Sequence, residues 1–183
     1  MDNDIKIFSP SARGGGIPDD LDSLAAQTEK LRESGELTRA KRLGRELAAY
    51  SAQSPELLEL AQSFGFALTP EREQQLHVLM VFSGQQALRA WLSPKLLAEA
   101  AVTSMNNFLI NRSKSFWDTI SDGSAFTQYL LAAPSGVLSD EQTAAVGAAF
   151  AHVCGQEDNI DLRALGAAVY EQAMELIRTK WES

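Results

Sequence analysis

Cysteine is almost absent from this sequence. Cys154 stands alone among 183 residues, so no disulfide can form within the chain. That usage fits a reducing compartment, and a cytoplasmic location is the expectation. Basic charge is in deficit as well: 16 Lys and Arg face 24 Asp and Glu, a formal net charge of −8. Residues 51–183 hold 15 of the acidic groups and 8 of the basic ones. A surface of that sign repels phosphate backbones and anionic lipid, which disfavours nucleic acid and membrane partners. Long apolar runs are missing too. No uncharged, apolar-rich stretch, that at 143–153 included, reaches the ~20 residues a membrane-spanning helix needs. The start, Met1-Asp2-Asn3-Asp4, lacks a basic region followed by an apolar one, so no secretion signal is expected.

The common chemical signatures fail one by one. Gly14-Gly15-Gly16 is the one glycine-rich stretch, and no Gly-Lys-Ser/Thr follows it to hold phosphate and magnesium. There is no Gly-x-Ser-x-Gly elbow. His152 and Cys154 lie two residues apart on an expected helix, so they point to different sides and cannot share one ion. The acidic run 157–161 lacks the glycine and the final glutamate of a calcium loop, and reads instead as a helix start favoured by the dipole. Cys154 falls at the end of an expected helix, where the negative dipole end works against a reactive thiolate. No metal, cofactor or catalytic residue is expected.

What the sequence does contain is helix punctuation. Ser54-Pro55, Thr69-Pro70 and Ser93-Pro94 each offer a hydroxyl at the N-cap and a proline at the first helical position. The hydroxyl accepts from a free backbone N–H, and proline's missing donor costs nothing there. Ser139-Asp140-Glu141-Gln142 adds a start with capping-box spacing. Gly65 and Gly155 stand where a closing glycine belongs, and Asp122-Gly123-Ser124 should split one helix in two. With no sustained period-2 alternation, the expected class is all-α, an irregular bundle of about eight helices. The expected spans are 19–33, 36–52, 55–64, 70–91, 94–112, 115–132, 140–154 and 160–181. Residues 1–18, with Ile5, Ile7 and Phe8 before Pro10 and the glycines, read as a flexible or extended N-terminal arm. Residues 19–183 read as a single helical domain, with a 19–52 hairpin packed on a 55–181 bundle.

Two helices are expected at the centre. Val78-Leu79-Met80-Val81-Phe82 is apolar all round, which implies burial on several sides. Ala144, Ala145, Gly147, Ala148 and Ala149 are small and would admit close neighbours.

Three features carry functional expectations. His77 shares a stripe with Val81, Gly84 and Leu88, where a histidine must find a partner or stay neutral. Gly84 would let a backbone or a ligand approach. Ser104 and Asn111 lie on the apolar side of 94–112 and need partners if buried. His77, Gly84, Ser104 and Asn111 are therefore the candidate lining of a small-molecule pocket. On the last helix, Tyr170, Met174, Ile177 and Trp181 widen the core stripe of Leu162, Leu165, Val169, Ala173 and Leu176, as an interface would. Arg39, Lys41, Arg42 and Arg45 cluster on 36–52, and are read as a solvated face because Glu46 stands one turn from Arg42.

The leading expectation is a non-enzymatic intracellular module that works by protein–protein binding, as an adaptor, regulator or structural partner, or as a homodimer. The alternative is a small-molecule-sensing or enzymatic bundle with an internal pocket near His77.

Overall fold

The computed structural model describes residues 16–65, 68–134 and 138–183. Among them the chain forms nine α-helices and no strand: α1 (Gly16–Glu33), α2 (Glu36–Gln53), α3 (Pro55–Ser63), α4 (Pro70–Trp91), α5 (Lys95–Arg112), α6 (Lys114–Asp122), α7 (Ser124–Ala132), α8 (Asp140–Val153) and α9 (Ile160–Glu182). The all-α class and the helical boundaries follow the sequence closely. The helix expected at 19 starts three residues earlier, at Gly16. Ile5, Ile7 and Phe8 lie outside the described residues.

The caps explain the boundaries. Ser54, Thr69 and Ser139 accept from the amides of Leu57, Arg72 and Gln142 at 3.2–3.3 Å. Ser113 and Asn159 do the same for α6 and α9, accepting from Phe116 and Leu162. One expected cap is displaced. α5 begins at Lys95, with Pro94 as its flanking residue and no side-chain cap. Pro94 has ψ 168, an extended conformation, so it stays outside the helix and Ser93 is one residue too far back to reach. Gly65 and Gly155 close α3 and α8 with φ of +80 and +69, a region that costs glycine nothing.

The chain divides into two compact units, with the division between Leu37 and Thr38, inside α2. The described part of the first unit is α1, its closing turn and the first two residues of α2. There Thr28 Oγ1 donates to the Leu24 carbonyl, Arg32 pairs with Glu29, and Leu21 and Leu24 are exposed.

The second unit holds the large core. Every residue from Val78 to Leu88 of α4 is buried, as the apolar run predicts. α9 packs along α8 and α4 and buries Leu162, Leu165, Gly166, Val169, Tyr170, Ala173, Met174 and Ile177. α8 buries one face only, Thr143, Val146, Gly147, Phe150 and Ala151. The partner of α4 at the centre is therefore α9 rather than α8. Small residues set the approach as expected. A Cβ at Gly147 would lie 2.2 Å from the Arg163 carbonyl oxygen, and the Gly147 Cα lies 3.0 Å from where a Gly166 Cβ would stand. α2 crosses α5 as closely: a Cβ at Gly44 would lie 2.1 Å from the Ala101 carbonyl oxygen. Aromatic packing fills the far side, with the Phe82 ring 5.5 Å from Phe126 and 5.4 Å from Tyr129 between centroids.

Candidate functional site

A proline creates the key contact of the site. In a continued helix the Ser51 carbonyl would accept from the amide of residue 55, which is proline and has none. The carbonyl of a buried residue cannot be left unpaired cheaply. His77, reaching across from α4, satisfies it: its Nδ1 stands 2.7 Å from the Ser51 oxygen. A carbonyl only accepts, so Nδ1 carries the proton. In the neutral ring, Nε2 is then the acceptor. That nitrogen stands 3.9 Å from Glu73 Oε1, one turn earlier on the same helix.

His77 and Glu73 line a cleft of about 700 Å³. Four helix ends wall it. α2 brings Ala52 and Gln53, α4 brings Pro70 and Gln74, α5 brings Leu109 and Arg112, and α6 brings Phe116 behind its cap Ser113. Arg112 donates to Gln53 Oε1, and Gln74 donates to Thr119 Oγ1 at 3.0 Å. The walls thus combine a short apolar surface with a cation, an anion, two amides and a histidine whose tautomer is fixed.

A second, shallower cleft of about 390 Å³ is lined by Arg45, Ser104, Asn107, Phe108, Asn111 and Arg112. Arg112 belongs to both. The structure therefore distributes the expected pocket residues. His77 lines the larger cleft, and Ser104 and Asn111 line the smaller one. Ser104 Oγ donates 2.9 Å to the Lys41 carbonyl, which spends its proton on the crossing of α2 and α5. Gly84 lines neither cleft. Leu47 of α2 packs onto it, 2.7 Å from where a Cβ would stand, so the gap serves a side chain and not a ligand. Glu73, Gln74, Gln53, Phe116 and Arg112 were not singled out from the sequence. The spacing of Glu73 and His77, four apart on one helix, was the available signal; Arg112 gave none.

The proposed face on α9 needs correction. Tyr170, Met174 and Ile177 have no exposed surface. They lie inside the fold, where burial pushes the Tyr170 hydroxyl up to about 12. Trp181 is half-buried, and its neighbour is Arg39. The Arg39 guanidinium lies 4.8 Å from the Trp181 ring centroid and donates to the Trp181 and Lys180 carbonyls at 2.7 and 3.2 Å. Arg39 thus closes the C-terminal end of α9, where a cation is favoured.

The remaining titratable candidates have structural tasks. Cys154 ends α8, and burial raises its thiol from the ordinary 9 to about 11. The direction matches the expectation from the sequence, but the first cause is burial. His152 pairs with Glu157 at the surface, while Asn159 caps α9. No group of three His, Cys, Asp or Glu among the described residues is arranged to hold a metal ion, and no helix among them is long and apolar enough to cross a membrane. Comparison with protein-family models, curated proteins and solved structures finds no match.

Proposed function

We propose that this chain is a small-molecule-binding helical domain whose ligand sits in the His77 cleft. The carrying observation is the convergence of Glu73, Gln74, His77, Arg112 and Gln53 on one concave, part-apolar space of about 700 Å³. Clefts of this size with a few directed polar groups are the usual form of ligand sites. The His77 geometry adds to it, since a ring held through Nδ1 presents Nε2 as an acceptor of defined direction. Protein–protein binding through α9, the leading expectation from the sequence, loses its support because three of its four residues are buried.

A thermal-shift screen of metabolites tests the reading. A true ligand at 100 times its Kd should stabilise the chain by about 2.7 kcal/mol, and His77→Gln should abolish that shift. A screen without a hit, or hits that His77→Gln leaves untouched, removes the cleft as the site.

A further inference from the structure

The smaller cleft has an unusual charge for this chain. Net charge is −8, yet two guanidinium groups, Arg45 and Arg112, line it together with the amides of Asn107 and Asn111, and no carboxylate does. The nearest acid in sequence, Glu46, is engaged by Arg42 and Lys180. Neither Arg45 nor Arg112 has a carboxylate within ion-pair distance among the described residues. Asn107 and Asn111 stand one turn apart on α5, with Arg112 next to the second, while Arg45 comes from α2, one residue past the Gly44–Ala101 crossing. The close crossing therefore fixes the two cationic walls relative to each other. Ser104, on the same stripe of α5, holds that crossing through the Lys41 carbonyl.

Two guanidinium groups supply two positive charges and fork-shaped donors that match tetrahedral oxyanions. A phosphomonoester carries about −1.5 to −2 at neutral pH, whereas a carboxylate carries half of that and would leave one cation uncompensated. Arg112 is also a wall of the His77 cleft, so the two clefts adjoin at this side chain.

We propose that the Arg45–Arg112 cleft is an anion subsite for the phosphate of a phosphomonoester, whose organic part lies in the His77 cleft. The assignment rests on the small-molecule reading above and specifies its ligand class. Arg45 and Arg112 bind the phosphate oxygens, Asn107 and Asn111 donate amide hydrogens, and Glu73, Gln74 and His77 address the polar groups of the organic part.

The test uses the intact chain and inorganic phosphate as probe, followed by phosphorus-31 line broadening, with glucose 6-phosphate, glucose and acetate as comparators by calorimetry. Phosphate should broaden on wild type, and Arg45→Gln and Arg112→Gln should each weaken it at least 10-fold. Both side chains are exposed, so circular dichroism should show unchanged helix content. Arg178→Gln, a surface arginine paired with Glu175 outside both clefts, should leave phosphate binding intact. The subsite is overturned if phosphate at 10 mM shows no broadening. It is overturned equally if broadening survives in the double Arg variant, or if acetate binds as tightly as phosphate. A neutral metabolite that still shifts melting through His77 would then keep the larger cleft as a ligand site while removing the phosphate assignment.

Discussion

Single side chains here show how burial and hydrogen bonding override ordinary chemical identity. Cys154 is the clearest case. Its thiol sits at about 11 instead of 9 because burial disfavours the thiolate. At pH 8 the native chain should hold roughly 100-fold less thiolate than an unfolded one, and iodoacetamide labelling followed by mass spectrometry should slow accordingly. The linkage has a definite sign. The folded value lies above the unfolded one, so the stability tied to the neutral thiol is complete below about 9 and is lost as pH rises towards 11. Denaturant midpoints for wild type should therefore fall in that window, and Cys154→Ser should flatten the fall. His77→Ala removes the Nδ1 donor to the Ser51 carbonyl. It should cost about 1–3 kcal/mol, the penalty of a buried acceptor left unmade, read as a lower urea midpoint at unchanged m. An unaltered midpoint would mean that water replaces the ring.

At the scale of elements, helix beginnings and ends were legible because they depend on local chemistry. A hydroxyl before a proline is a cap wherever it occurs, and Ser54 and Thr69 behave so. Ser93 fails because Pro94 takes an extended ψ and pushes the start of α5 one residue on, a choice that depends on the chain's path after α4. The width of a buried face was not legible. Periodicity shows that Tyr170, Met174, Ile177 and Trp181 share a side of α9. It does not show that α9 packs against α8 and α4 and, at Ile177 and Trp181, meets α2 as well. Met174→Ala should accordingly destabilise by about 2–5 kcal/mol as a core truncation, while light scattering gives the same mass as wild type. A change of mass would restore the interface reading. The crossings make a sharper forecast. Ala is the better helix former by about 1 kcal/mol, yet Gly44→Ala puts a methyl 2.1 Å from a backbone oxygen. The overpacking cost of about 1–3 kcal/mol should win, and thermal melts should show a lower Tm.

For the whole molecule, the sequence supplied the class and the core helix α4, but only one corner of the site. His77 was visible because a histidine in an apolar stripe needs a partner. Arg112 and Arg45 were not, since an arginine at a helix end or on a polar face looks like any solvated charge. Their meaning comes from distant segments meeting: α2 and α5 cross at Gly44, and the ends of four helices open the larger cleft. Charge balance over the chain also misled in one respect. A net of −8 describes the average surface, whereas the smaller cleft has the opposite sign. Its binding should be salt-sensitive, because exposed charges are screened over about 10 Å at 0.1 M salt. Raising potassium chloride from 0.05 to 0.5 M should weaken phosphate binding in calorimetry by several-fold, and an unchanged Kd would argue against a charge-driven site.

The carbonyl that Pro55 leaves unclaimed joins the end of α2 to the ring facing the cleft. A ligand that donates a hydrogen bond to Nε2 would polarise the ring and strengthen the Nδ1–H bond to the Ser51 carbonyl. Occupancy and the tightness of that joint then become linked equilibria, each favouring the other by the same factor. Amide exchange in the last turn of α2 should slow when the cleft is filled, so a backbone position without its own hydrogen-bond donor would report on what the site has bound.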